Sequence, residues 1–165
     1  MRGGSDLPKD STNETPDRFG RRARVPAGRL LALDLGEKRV GVAVSDELPL
    51  TARPLPYLRR TNWKQLLGAV ADLLQDFDAR ALVIGLPLNL DGSEGEAAGN
   101  VRRLARNFSL SLHVPVFLQD ERLTSREAEE SLRAEGHSDE SLRERIDSEA
   151  AAIILRDYLA RFGAE

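Results

Sequence analysis

One segment of the chain, ALVIGLP at residues 81–87, is apolar at nearly every position. An uninterrupted apolar run of this length is typical of a parallel β-strand that is buried on both faces of a sheet. Strand-like segments also occur at LLALDLG and VGVAVSD before it and at VPVFLQ after it. The chain runs through three extended segments, then helix, strand, helix, strand and a helical C-terminus, which predicts one α/β domain with a mixed sheet.

The first two strand patterns are separated by a short turn and are predicted to form a hairpin. With the turn at residues 37–38, Asp34 is paired with Gly41 and Asp46 with Arg29. Asp46 would then lie at the opposite end of the sheet from Asp34, where a loop or hydrogen-bonding role is expected.

The next extended segment, PLTARPLPYLRR, is predicted to be a sheet edge because Pro54 and Pro56 lack the N–H that a central strand needs. Helices follow where apolar residues recur at helical spacing. Capping signals predict three helix starts, at Asn62 with Gln65, Ser93 with Glu96, and Thr124 with Glu127, and the last helix is predicted to open near Asp147.

Composition limits the chemistry that the chain can perform. Its 165 residues suffice for one domain with a hydrophobic core, and the absence of cysteine excludes disulfides, zinc–thiolate sites and thiol nucleophiles. Residues 1–28, rich in Gly, Pro, Ser, Thr and charge, are predicted to be a disordered basic tail, and residues 29–165 the folded domain. No apolar run is long enough to span a membrane, so a cytoplasmic protein is expected.

The net charge of −3 gives no overall attraction to nucleic acid, but the charge is unevenly distributed. Residues 1–29 contain seven basic and four acidic residues, a net charge of +3. Most of the cationic residues in the chain are arginines, whose planar guanidinium suits bidentate contacts with phosphate. A biased genomic base composition would give the same arginine excess.

Acidic residues next to apolar elements are the strongest functional signal. Asp34 lies in the first strand, Asp120 and Glu121 end the strand VPVFLQDE, and Asp147 opens the pattern IDSEAAAIILRDYL. Burying a carboxylate is costly unless it is paired or holds a cation. Ligand sets made only of oxygen suit Mg²⁺ or Mn²⁺, and such ions commonly act on phosphodiesters.

Each acid also has a purely structural interpretation: Arg39 as a partner for Asp34, the next helix's dipole for Asp120 and Glu121, and an N-cap for Asp147. Adjacent strand residues point to opposite faces, so only one of Asp120 and Glu121 can share the face of Asp34, and Glu121 is favoured for its longer side chain. Asp147 shares a helix face with apolar residues predicted to pack on the sheet, namely Ala150, Ala151 and Ile154.

The Gly-containing loop LNLDGSEG, which includes Asn89, follows the central strand and leads into a helix with Arg102, Arg103 and Arg106. It lacks the lysine of a P-loop. The loop and the arginines are candidates for contacts with a phosphate backbone, and a solvated helix face is an equally good interpretation of the arginines.

Four segments in order, ALDLGEKRVGVAVSD, VIGLPLNLDGSEG, DERLTS and IDSEAAAIILRDYL, resemble the signature blocks of the YqgF family, also called RuvX. The resemblance covers residues from about 29 to 162. It implies a RuvC-like nuclease with an RNase H-like fold: a five-stranded sheet of three antiparallel strands beside two parallel strands, with helices on both faces. It also places Asp34, Glu121 and Asp147 at the positions of the metal-binding catalytic acids.

The resemblance implies a nuclease dependent on Mg²⁺ or Mn²⁺ that trims the 5′ end of precursor 16S ribosomal RNA, with Arg39 or Arg122 positioning the phosphate. The alternatives are a Holliday junction resolvase, which would need a dimer for symmetrical cutting, and a non-catalytic RNA-binding factor. An actin-like ATPase or sugar kinase is a further alternative because its first hairpin carries a similar D-x-G motif, but such enzymes need two domains of this kind.

Overall fold

The computed structural model describes residues 14–16, 22–24, 27–48, 51–121, 133–136 and 139–162. Within residues 139–162, side chains are described from residue 148 onward. Two short strands, β1 (Glu14–Pro16) and β2 (Arg22–Arg24), pair antiparallel near the N-terminus. Five more strands form the main sheet: β3 (Leu30–Leu35), β4 (Arg39–Ser45), β5 (Ala52–Arg59), β6 (Ala81–Leu86) and β7 (Val116–Asp120).

The strand order of the main sheet is β5-β4-β3-β6-β7. The β3–β4 and β4–β5 pairs are antiparallel, while β3–β6 and β6–β7 are parallel. The predicted mixed sheet is therefore confirmed, with three antiparallel strands beside two parallel ones. The predicted hairpin register is also confirmed, because Asp34 pairs with Gly41, and β5 with its two prolines lies at the edge.

The N-terminal segment departs in part from the prediction of a structureless tail, since residues 14–16 and 22–24 form a two-stranded ladder. The boundary between a tail at residues 1–28 and a domain at residues 29–165 stays a prediction.

Helix α1 (Trp63–Asp76) begins as predicted, because the Asn62 side chain accepts a hydrogen bond of 2.9 Å from the Gln65 backbone N–H. Helix α2 (Glu96–Ser111) does not use the predicted Ser93 cap: its N-cap is Gly95, with no side-chain capping bond. Ser93 is instead bound to Asp91, whose Oδ1 accepts from the Ser93 N–H at 2.8 Å and from its hydroxyl at 2.6 Å. The capping pair predicted at Thr124 and Glu127 lies outside the described residues.

Helix α3 (Asp139–Phe162) is longer than the sequence pattern indicated. It begins eight residues before Asp147, so the prediction that Asp147 opens this helix is wrong, and an N-cap role for this residue is excluded. Asp147 lies inside the helix.

Helices cover both faces of the sheet. On one face α1 and α2 pack against alternate strand residues such as Leu31, Leu33 and Ile84. On the other, here called the α3 face, buried residues of α3 pack against the intervening strand residues, which include Leu30, Ala32 and Val83. Within the residues described, no helix is long and apolar enough to cross a membrane.

Candidate active site at the carboxyl ends of the strands

Asp34 lies on the α3 face at the carboxyl end of β3. The alternation along β3 fixes this position, because Leu30 and Ala32 belong to the core beneath α3 while Leu31 and Leu33 belong to the opposite core. Asp34 follows Ala32 by two residues and is only half-buried. The strand therefore presents this carboxylate at the sheet edge where open α/β sheets place their ligands.

Glu121 reaches the same place from β7. Its backbone N–H donates to the Leu86 carbonyl oxygen at 3.1 Å, which extends the parallel pairing of β6 and β7 by one step. Phe117 packs under α3, so alternation places Glu121 on the α3 face and Asp120 on the opposite one. Of the two neighbouring acids, Glu121 is thus the one that shares the face of Asp34, as favoured from the sequence.

The two carboxyl groups interact directly. Burial, followed by the charge of Asp34, a side-chain hydrogen bond to Asp34 and the charge of Asp120, raises the pKa of Glu121 from 4.5 to about 9. Without a cation, the pair is therefore stable with a proton on Glu121, which it donates to Asp34. A cation bound between the two carboxylates would replace that proton, because it supplies the positive charge that lets both groups ionise.

Gly85 on β6 makes room for this pair. A Cβ atom at Gly85 would lie 2.5 Å from Oε2 of Glu121 and 2.5 Å from Cδ1 of Ile154 on α3. The Glu121 carboxylate thus lies directly over the Gly85 backbone, between the sheet and the helix. Any side chain at this position would displace the Glu121 carboxylate and the Ile154 side chain.

The backbone of α3 carries Asp147 close to Asp34. Ser148 is buried, and its Oγ accepts a hydrogen bond of 3.4 Å from the Val42 N–H, beside an irregularity in the β4–β5 pairing. Val42 follows Gly41, which is the partner of Asp34 in the hairpin. The helix is therefore anchored one residue after Asp147 and one residue from the strand position opposite Asp34.

The helix face predicted to pack on the sheet does so, since Ala150, Ala151 and Ile154 are fully buried. The Asp147 side chain lies outside the part of the chain that the structure describes. Its role as a third acidic ligand stays a prediction.

Gln119 is a residue of this site that the sequence did not single out. It pairs with Gly85 in the parallel register, lies two residues before Glu121 and is 7% exposed. Its Oε1 atom is buried without a hydrogen-bond partner, although its Nε2 atom donates to the Asp120 carbonyl oxygen at 3.5 Å. Counting back two residues from Glu121 along the strand would have found it.

These residues fit a divalent cation of the Mg²⁺ or Mn²⁺ kind. The donor atoms are all oxygens, the Glu121 carboxyl group is hydrogen-bonded to Asp34, and the buried Gln119 Oε1 has no hydrogen-bond partner. Among the side chains that the structure describes, no three His, Asp or Glu residues are arranged to hold a metal ion. A third carboxylate would have to come from outside that set, and Asp147 is the candidate from the sequence.

The residues predicted to contact nucleic acid are spread around this end of the molecule. The Arg39 guanidinium lies 5.5 Å from the centre of the Tyr57 ring, and Arg102 forms an ion pair with Glu94. Of the other predicted contact residues, Arg103 is hydrogen-bonded to Asn100, and Arg106 is exposed on α2. The Asn89 side chain donates a hydrogen bond of 2.9 Å to Ser93 Oγ. Arg122 lies outside the described residues.

Asp46 lies away from this site, as predicted. It follows the far end of β4, is exposed, and accepts a hydrogen bond from the Thr51 hydroxyl. It is a natural control for experiments on the other acids.

Comparison with known proteins shows which protein family the chain matches. Residues 28–161 match the RuvX family, which is described as a Holliday junction resolvase. A relative from Anaeromyxobacter sp. (strain Fw109-5), named "Putative pre-16S rRNA nuclease", is 45% identical over 131 residues, which cover 79% of this chain and 96% of the relative. A relative of the same name from Syntrophus aciditrophicus (strain SB) is 44% identical over 137 residues, covering 83% and 91%.

Among solved structures, T. thermophilus RuvC in complex with Holliday junction substrate aligns over 82% of this chain and 96% of that chain, with 18% identity and a TM-score of 0.49. The family match spans nearly the whole domain that carries the paired carboxyl groups, and the two sequence relatives match along almost their full lengths. The chain therefore belongs to the RuvX family.

Proposed function

We propose that the protein is a divalent-metal-dependent nuclease that cleaves phosphodiester bonds in the 5′ region of precursor 16S ribosomal RNA. The observation that carries this proposal is the Asp34–Glu121 pair, two carboxyl groups held together over Gly85 at the carboxyl edge of the sheet. Two carboxyl groups held side by side resist ionising together, and a divalent cation between them would offset that cost, so the pair supports a cation site. The names of the sequence relatives favour the RNA substrate.

In this proposal Asp34, Glu121 and Asp147 hold the cations, with either Mg²⁺ or Mn²⁺ as the ion. When bound, such ions activate a water molecule and stabilise the charge on the leaving oxygen of the phosphodiester. The strands β3 and β7 carry the first two carboxylates, and the hydrogen bond between the Val42 N–H and Ser148 Oγ supports the proposed role of Asp147 as the third. Ile154 of α3 packs over Gly85 beside the Glu121 carboxylate.

Holliday junction cleavage is the second candidate, because the family description names that activity. Family membership also favours a nuclease over the ATPase or sugar kinase suggested by the D-x-G hairpin. A cytoplasmic location, and a monomer or homodimer as the working form, stay predictions.

The test is cleavage of labelled substrates by the purified protein with Mg²⁺, with Mn²⁺ or with EDTA. Precursor 16S rRNA with its 5′ extension, a four-way DNA junction and single-stranded DNA are compared. We expect metal-dependent cleavage of the RNA precursor, loss of activity in Asp34→Asn and Glu121→Gln, and near wild-type activity in Asp46→Asn. Preferential cutting of the junction would favour the second candidate, and equal activity of Asp34→Asn and wild type would exclude the proposed site.

A further inference from the structure

A cleft of about 510 Å³ lies at the same edge of the sheet as the carboxylates but on the α2 side. It is lined by Leu35, the residue after Asp34, by Pro87, the residue after β6, and by residues of α2. Because successive strand residues point to opposite faces, Asp34 and Leu35 line the two sites from neighbouring positions. A polymer that passes over the ends of β3 and β6 can therefore contact both.

Two arginines line this cleft, and both are held in place. Arg60 Nη1 donates to the Gly36 carbonyl oxygen at 2.8 Å, and the Arg103 guanidinium donates to Asn100 Oδ1. Each guanidinium has further N–H groups beyond these bonds, which can donate to the oxygens of a phosphate. Glu37 also lines the cleft, so these side chains give it a net charge of +1.

The remaining lining combines an apolar surface with amides. Val101 and Leu104 on α2 extend the apolar surface of Leu35, and Asn100 and Asn107 stand along the same side of the helix. An asparagine side chain both donates and accepts hydrogen bonds, as the edge of a nucleobase requires. Apolar side chains can contact the flat face of a base only when that base is unstacked.

We propose that this cleft binds one unstacked nucleotide of a single-stranded segment next to the scissile phosphate. Its phosphate lies between Arg60 and Arg103, and its base lies on the apolar surface within reach of Asn100 and Asn107. The inference rests on the proposed nuclease function, because the bound strand is the one that extends from the carboxylates. The cleft volume falls within the range of about 300–1,000 Å³ that is common for sites of small ligands.

The experiment measures binding of short fluorescent single-stranded RNA and DNA by anisotropy in EDTA, so that cleavage does not interfere. Arg103→Gln is compared with Arg80→Gln, which removes the same charge just before β6, at the opposite end of the sheet from the cleft, where the arginine is paired with Asp78. We expect Arg103→Gln to weaken binding by about tenfold or more, and Arg80→Gln to change it by at most about threefold. Equal weakening by both variants would show a general charge effect and overturn the proposal.

The base contact is tested with strands that carry a single abasic site at successive positions. For the wild type, affinity should fall at one position, and in Asn107→Ala that dependence on position should be reduced. A wild-type protein that is insensitive to abasic sites would contradict a base-binding cleft. Tighter binding of free nucleoside monophosphates than of the strands would also overturn the proposal, since it would indicate a mononucleotide site.

Failure of the cleft and failure of the nuclease assignment are distinguishable. If cleavage occurs and the two arginine variants behave alike, the cleft proposal alone is wrong. If no substrate is cleaved in any metal but the variants differ, the nuclease assignment fails while the cleft remains a nucleotide-binding site. Thermal melts of each variant confirm that the exposed substitutions leave the fold intact.

Discussion

Gly85→Ala is the most direct perturbation of the site that leaves every acid in place. The new Cβ would lie 2.5 Å from both Glu121 Oε2 and Ile154 Cδ1, about 1 Å closer than ordinary van der Waals contact allows. The carboxylate of Glu121 and the terminal methyl group of Ile154 therefore have to move away from this position. The substitution thus acts on the Asp34–Glu121 pair and on the packing of an α3 side chain together.

The expected loss follows from the cost of overpacking. Forcing an extra methyl group into a well-packed interior costs about 1–3 kcal/mol. For a chain of this length, that corresponds to a fall in Tm of roughly 2–12 °C. Gly68→Ala is the matched control, because a Cβ at Gly68 in α1 has no atom within 4 Å. There the same substitution should stabilise the protein by roughly 0.5–1 kcal/mol, since alanine is the better helix residue.

Urea unfolding of the two variants and the wild type, with and without Mn²⁺, measures both effects. We expect opposite signs for the two glycines, with a smaller Mn²⁺-induced stabilisation in Gly85→Ala because Glu121 is displaced. If Gly85→Ala were as stable as the wild type and kept its full response to Mn²⁺, the close placement of Glu121 over β6 would be refuted.

Three further predictions concern the acids and the N-terminal segment. In EDTA the free energy of unfolding should fall as pH rises from 4.5 towards about 9, because the unfolded chain releases the Glu121 proton at lower pH than the folded protein does. Urea titrations should show that this free energy depends less on pH in Glu121→Gln. The same pH dependence in the variant and the wild type would contradict the pairing of Glu121 with Asp34. In single-turnover assays the double variant Asp34→Asn/Glu121→Gln should cleave no more slowly than either single variant, because the two residues are proposed to act as one unit. Additive losses of rate would indicate independent roles. Deleting residues 1–28 should weaken RNA binding and reduce its salt dependence without changing the cleavage rate at saturating protein, because the segment is basic; a large fall in that rate would place it in the active site.

The sheet was predictable from the sequence because its determinants are local and periodic. The short turn fixes the pairing of Asp34 with Gly41, and Pro54 and Pro56 can be accommodated only at an edge. The same period of two showed that only one of Asp120 and Glu121 could share the face of Asp34, but the preference for Glu121 rested on its longer side chain. The packing of Phe117 under α3 decided between them.

The helix starts and the fine structure of the site were less predictable. Ser93 has the spacing of a cap, but its hydroxyl and N–H are bound to Asp91 instead. The first turns of α3 are so rich in charge that no apolar stripe marks them, so the helix was expected to open near Asp147. Gln119 and Gly85 form part of the site through register between strands distant in sequence, which a reading of single segments does not show.

The register of β3 is a requirement of both sites at once. A slip of one residue in the hairpin would exchange the faces of Asp34 and Leu35, so that an apolar side chain would meet Glu121 and a carboxylate would face the proposed phosphate position. Gly36 helps to prevent this slip: its N–H donates to the Arg39 carbonyl oxygen at 3.0 Å, and a Cβ there would lie 2.5 Å from that oxygen. Arg60 binds the Gly36 carbonyl oxygen from the other side. The turn that follows Asp34 is therefore also the turn that binds an arginine of the cleft, which would link the proposed chemistry of the site to its proposed recognition of the neighbouring nucleotide.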